Sequence, residues 1–156
     1  MKEEHIAFYR SEIGWIKISG AEEGIRSLYF VEDDEVWNSK PHPSLQECLR
    51  QLEEYFQGKR QSFSLKLLPE GTEFQKKVWK QLLTVPYGKT ASYQDIAAAL
   101  GDKNAVRAVG SANGKNPISI IVPCHRVIGR NGNLIGYGGG VWRKEWLLKH
   151  EKSIIV

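Results

Sequence analysis

The sequence predicts an α+β chain, with a small β-meander/helix domain over residues 1–70 and a mostly helical domain over 71–156 that carries a winged-helix-like helix-turn-helix. Three observations predict it. Short runs rich in Ile, Phe, Tyr and Trp and punctuated by glycine fill the first third, whereas helical spacing of apolar residues dominates beyond Thr72. The stretch Leu68-Pro69-Glu70-Gly71 reads as a linker between the two. Charge changes sign at the same place: 9 Lys/Arg stand against 13 Asp/Glu before Gly71, a net of −4, and 13 stand against 5 from there on, a net of +8.

A strongly basic half points to a polyanion partner, or else to a solvated basic face. At 156 residues, with 41% hydrophobic and 26% charged residues, the composition is that of a globular protein. No apolar run approaches bilayer length, and Met1-Lys2-Glu3-Glu4-His5 lacks the basic-then-apolar form of a signal peptide. A cytoplasmic protein (nuclear in a nucleated cell) with no membrane partner is therefore expected, and Cys48 and Cys124 are expected as free thiols.

In chain order, residues 5–10, 14–19 and 24–31 predict the three strands of the meander. Glu32-Asp33-Asp34-Glu35 predicts a solvated loop, and Pro41-His42-Pro43-Ser44 opens a helix. Leu45, Cys48, Leu49, Leu52, Tyr55 and Phe56 repeat at helical spacing up to Gly58, which places Cys48 in a core. Residues 61–68 predict a further strand. His5, His42 and Cys48 have no paired metal-ligand spacing, so no metal is expected.

In the second half, Thr72 caps a helix that turns Phe74, Val78, Trp79, Leu82 and Leu83 toward a core. Val85-Pro86-Tyr87-Gly88-Lys89-Thr90 is a turn, and Ser92 with Asp95 forms a capping box for the helix continuing through Ile96–Leu100. Gly101 ends it, and a second helix runs over 103–113 with Val106, Val109 and Ala112 on one side. Two short helices about a glycine turn make a helix-turn-helix. The second carries Ala105, Ala108, Gly110, Ser111, Ala112 and Gly114 around one long basic residue, Arg107. Such a surface suits close approach to a nucleic-acid groove, with Arg107 reaching into the base stack, and it equally suits tight helix–helix packing.

The apolar run Ile118–Val122 delivers Pro123-Cys124-His125-Arg126-Val127. Proline ends the run and Cys124 begins a tight turn. A turn near a helix N-terminus, a cation or a base lowers a thiol pKa and makes a nucleophilic thiolate. The alternative is a small buried hydrophobe beside an incidental histidine.

Tyr93, Arg107, Asn116-Pro117, the P-C-H-R-V core, the glycine loop Gly136-Tyr137-Gly138-Gly139-Gly140 and Lys144-Glu145-Trp146-Leu147-Leu148-Lys149-His150-Glu151 together resemble the O6-alkylguanine–DNA alkyltransferase family, the methylated-DNA–protein-cysteine methyltransferases. The likeness covers about half the chain, residues 72–151; the first domain matches only in size and layout. It implies direct-reversal DNA repair, in which Cys124 irreversibly accepts the alkyl group of O6-alkylguanine, and O4-methylthymine is a second candidate substrate. It implies that His125 removes the thiol proton through a water, that Glu151 orients His125, and that Asn116 braces the turn. Tyr93 is implied to offer its hydroxyl to the base and to help rotate the 3′ phosphate. The loop around Gly138, where some relatives carry serine, is implied to offer a backbone donor to O6.

Val127, Tyr137, Gly138 and Lys144 are implied to line the alkylguanine pocket, although Lys144 reads equally as a solvated helix lysine. Arg107 is implied to fill the gap left by a flipped base, with Tyr93, Ala105, Gly110 and Ser111 along the DNA. The implied partner is double-stranded DNA, bound without sequence preference through the minor groove by a monomer, and no cofactor is called for. Arg126 stays open between a phosphate contact and an internal ion pair. Two rivals are a non-catalytic helix-turn-helix module, against which the presence of Cys124 counts, and a thiol hydrolase using Cys124, His125 and Glu151, which leaves the basic half unexplained.

Overall fold

A computed structural model describes residues 4–37, 40–134 and 136–152. Residues 1–3 and 153–156, the outer ends of the two predicted domains, lie outside the described residues. The chain forms two compact units, Met1–Glu70 and Gly71–Val156.

In the first unit β1 (His5–Ser11), β2 (Gly14–Ala21) and β3 (Gly24–Val31) form an antiparallel sheet in the order β1-β2-β3. Helix α1 (Pro43–Phe56) lies against β1 and β2. Alternation along the strands sends Ala7, Ile16, Ile18 and Leu28 inward, and Leu45, Cys48, Leu52 and Tyr55 of α1 are all buried. Residues 61–68 do not form the expected strand. They make a single parallel bridge, Ile25 to Leu67, with Ile25 N–H donating to Lys66 O (2.8 Å) and Leu68 N–H to Ile25 O (2.8 Å). Gly24 permits this approach: at φ 153° its backbone sits where a Cβ would fall 2.8 Å from Lys66 O. The buried side chain of Gln51 accepts from Ser64 N–H (3.0 Å), so α1 meets the start of the segment and β3 only its end. The acidic run is a single exposed 3₁₀ turn, Asp33–Glu35, rather than a plain loop.

The second unit is helical. Helix α2 (Glu73–Leu82) starts at a capping box between Thr72 and Gln75. Of its predicted core stripe, Val78, Trp79 and Leu82 are buried, while Phe74 and Leu83 are exposed, because they flank the stripe at its ends. β4 (Ala91–Ser92) leads into α3 (Tyr93–Ala99), capped reciprocally by Ser92 and Asp95. α4 (Val106–Gly114) follows, starting three residues later than the sequence suggests. Its last turn is held by the Trp79 indole N–H, which donates to Ala112 O (2.8 Å) inside the core. β5 (Val127–Ile128) pairs parallel with β4, Ala91 opposite Val127, which ties the helix-turn-helix to the segment after Cys124. α5 (Val141–His150) closes the unit, and its start at Gly140 adopts φ 95°. Among the described residues no helix is long and apolar enough to cross a membrane.

Candidate active site

The apolar run before Cys124 is a buried turn. Ile120 takes φ 72°, a left-handed conformation that costs a β-branched residue about 1–3 kcal/mol and that the packed surroundings impose. The chain then enters a single 3₁₀ turn, Cys124–Arg126, between Pro123 and β5. Asn116 spans the approach: its Nδ2 donates to Val122 O (2.8 Å) and its Oδ1 accepts from Ile118 N–H (3.0 Å). Asn113, on the last turn of α4, donates through Nδ2 to Cys124 O (3.4 Å). The turn that carries Cys124 is therefore held from both sides of the α4 C-terminus.

His125 and Glu151 are fully buried and meet at 2.7 Å, Nε2 to Oε2. Glu151 caps the C-terminal end of α5, where helix geometry brings it back over the turn. The same carboxylate takes two donors of Arg126, Nε to Oε1 (2.7 Å) and Nη2 to Oε2 (3.2 Å), while Arg126 Nη1 donates to Val85 O (2.7 Å). Arg126 is thus an internal ion pair, bidentate and buried, with its guanidinium 5.8 Å from the Tyr87 ring centroid.

The electrostatics correct one expectation. Burial pushes the Cys124 thiol pKa up, and the Asn116 hydrogen bond and the Lys144 charge oppose it without reversing it. The cysteine rests as a thiol because desolvation outweighs the turn's favourable dipoles. Burial lowers the His125 pKa below 6.5 against the pull of Glu151, so the imidazole is neutral at pH 7. For Glu151 burial acts upward, but His125 and Arg126 outweigh it and hold the carboxyl well below its ordinary range. With Nε2–H bonded to an ionised carboxylate, the basic lone pair falls on Nδ1, which is buried and has no partner among the described residues. Lys144 is buried, not solvated; burial pushes its pKa down to about 8, and its Nζ donates to Gly136 O (3.4 Å).

Beside this group opens a cleft of about 400 Å³ lined by Tyr93, Val106, Gly110, Asn113, Gly114, Gly136 and Tyr137. Gly110 leaves its wall bare, although a Cβ there would make only ordinary van der Waals contact with the Tyr93 ring, at 3.9 Å. Burial raises the pKa of both tyrosines, and a thiolate at Cys124 would add to the rise in each. Among the predicted pocket residues, Tyr137 lines the cleft; Val127, Gly138 and Lys144 do not, Val127 being fully buried and Gly138 exposed on the loop. Arg107 and Ser111 are exposed on α4, with Ala105 half-buried at its N-cap. Asn113 escaped the sequence reading because an asparagine before glycine at a helix end reads as a C-cap.

Two family models match. The 6-O-methylguanine DNA methyltransferase DNA-binding domain matches residues 73–153, and the ribonuclease-like domain of the same name matches residues 5–69. The methylated-DNA–protein-cysteine methyltransferase of Methanosarcina barkeri is 50% identical over 151 residues, covering 92% of this chain and 94% of that protein. The Methanosarcina acetivorans protein of the same name is 49% identical, covering 96% and 99%. Among solved structures, Mycobacterium tuberculosis O6-methylguanine methyltransferase superposes with TM-score 0.86 at 45% identity, covering 97% of this chain and 94% of that one. Mycobacterium tuberculosis OGT in complex with DNA gives TM-score 0.84 at 47% identity, covering 94% and 91%. The likeness thus extends through the first domain, for which the sequence alone offered only size and layout.

Proposed function

The chain belongs to the 6-O-methylguanine DNA methyltransferase family, and from that premise we propose that it repairs alkylated DNA directly by moving one alkyl group from guanine O6 to Cys124. The observation that carries the assignment is the buried hydrogen-bonded chain of Cys124's neighbour His125 with Glu151. Its relatives are named for a cysteine acceptor and methylated DNA, and Cys124 fits that acceptor: a thiol at rest, next to a neutral imidazole whose Nδ1 is available.

The step is an in-line substitution at saturated carbon. His125 Nδ1 takes the thiol proton through a water, and the sulfur attacks the alkyl carbon. The carbon–O6 bond breaks, its electron pair leaves on the guanine ring, and a proton from the site returns there to give guanine. Tyr93 offers a hydroxyl to the base, the loop at Gly138 offers a backbone donor to O6, and the Lys144 charge favours thiolate. Val127, fully buried after the Cys124–Arg126 turn, ties that turn to β4. The product is a thioether, which no group in the site can cleave, so each molecule acts once.

A base inside a duplex cannot reach a buried sulfur, so the nucleotide flips out. The exposed face of α4 suits this, with Arg107 long enough to fill the gap and Gly110 and Ser111 short enough for close approach through the minor groove. Ala105 provides no side-chain cap, leaving the first-turn N–H groups of α4 to a phosphate. Binding of this kind is independent of sequence and weakens with salt, and one monomer carries all of the groups named.

The test is mass spectrometry after mixing the protein with duplex DNA containing O6-methylguanine. One methyl mass is expected on the Cys124 peptide per lesion removed, and turnover beyond one equivalent refutes single use. Arg107→Ala is expected to slow lesion capture about tenfold or more while leaving the melting temperature within a few degrees, since the side chain is exposed. An unchanged single-turnover rate with this variant would show that Arg107 is not the finger.

A further inference from the structure

Asn113 lies in the wall of the cleft, is 5% exposed, and has its two amide atoms in unlike circumstances. Nδ2 faces Cys124 O at 3.4 Å. A carbonyl only accepts, so this contact fixes which end of the amide is nitrogen and directs Oδ1 elsewhere. Oδ1 is buried and has no partner among the described residues. A buried acceptor left unmet is costly, which makes it a selector for whatever ligand brings it a donor.

The base has only one donor to bring. Alkylation at O6 leaves N1 without hydrogen, N3 and N7 are acceptors, and N9 carries the sugar, so the 2-amino group is the sole N–H donor of O6-alkylguanine. Resting on the alkyltransferase reading above, we infer that Asn113 is a specificity-determining residue whose Oδ1 accepts a hydrogen bond from the guanine 2-amino group while its Nδ2 holds the carbonyl of the attacking cysteine. The same side chain thereby links recognition of the base to placement of the nucleophile. Alkylated bases without a donor on that edge, O6-methylhypoxanthine and O4-methylthymine, leave Oδ1 unmet and are discriminated against.

The test compares single-turnover methyl transfer from two duplexes that differ only in O6-methylguanine against O6-methylhypoxanthine. The unmutated protein is expected to prefer the guanine lesion by about tenfold, the order of effect of one buried acceptor left without its donor. In Asn113→Leu that ratio is expected to fall toward one, mostly through slower reaction with the guanine lesion. The ratio is taken within each variant, so a reduced folded fraction cancels, and Asn113→Ala repeats the measurement with a smaller side chain. A ratio unchanged from the unmutated protein in both variants overturns the inference and leaves Asn113 a purely structural brace. Absence of any methyl on Cys124 from either duplex would refute the alkyltransferase reading itself.

Discussion

Replacing Cys124 by serine is expected to abolish alkyl transfer below detection while leaving affinity for lesion-bearing duplex within a few-fold. The two nucleophiles differ in how much help they need. Burial already pushes the thiol up, yet sulfur stays within reach of a neutral imidazole base assisted by Lys144. A hydroxyl in the same place starts several units higher, and attack at saturated carbon forms no tetrahedral oxyanion, so donors on the leaving guanine do nothing to activate the attacking oxygen. Binding is expected to survive because the groups placed along the DNA, Arg107 and the small-faced α4, lie outside the nucleophile turn. Cys48 supplies the internal control: it is buried in the first unit with its pKa pushed up to about 12, so it cannot take over as acceptor. Methylated Cys48, or any lesion loss beyond background with the serine variant, would contradict the assignment.

Much of this site was legible in the sequence, for a physical reason that differs from residue to residue. Cys124 and His125 are adjacent in a turn fixed by Pro123, which made them candidates, but local order left a buried hydrophobe equally open and only the motifs of the whole second half singled them out. The capping boxes at Thr72 and Ser92 are equally local, and both helices begin where those residues stand. What the sequence left open depends on partners distant along the chain. Arg126 could not be assigned between phosphate and ion pair because its carboxylate is 25 residues away, brought there by the packing of α5. Lys144 looked like any helix lysine until α5 turned it inward. The run before Cys124 has the composition of a strand, yet with Ile120 at φ 72° it forms a turn that only a packed surround can hold. The thiol pKa was misjudged on the same ground, since favourable neighbours are visible in sequence and desolvation is not.

The second large effect is expected from Glu151→Gln, which acts on stability and rate through different bonds. The carboxylate is shared by His125 and Arg126, so the amide leaves a buried guanidinium without its counter-charge, a loss of about 3–5 kcal/mol when one member of a buried pair is removed. For a unit of this size that amounts to a fall in melting temperature on the order of 20 °C. The rate falls by up to about 10⁴-fold, as when the orienting carboxylate of a hydrolase triad becomes an amide. The reason is tautomeric: an amide N–H can donate to Nε2, which moves the imidazole hydrogen to Nδ1 and removes the base. The pH dependence separates the two effects. A carboxyl held below its ordinary 4.5 in the folded state contributes stability that is complete above that value and is lost as pH falls through the lower one. The glutamine variant should therefore lose less of its remaining stability on acidification below pH 4.5 than the parent does. Pairing the change with Arg126→Met removes the orphaned cation, so the double variant should regain stability relative to Glu151→Gln alone while staying slow. Additive losses of stability in the double variant would mean that Arg126 and Glu151 do not act as a pair, and a full recovery of rate would mean that Glu151 serves the fold rather than His125.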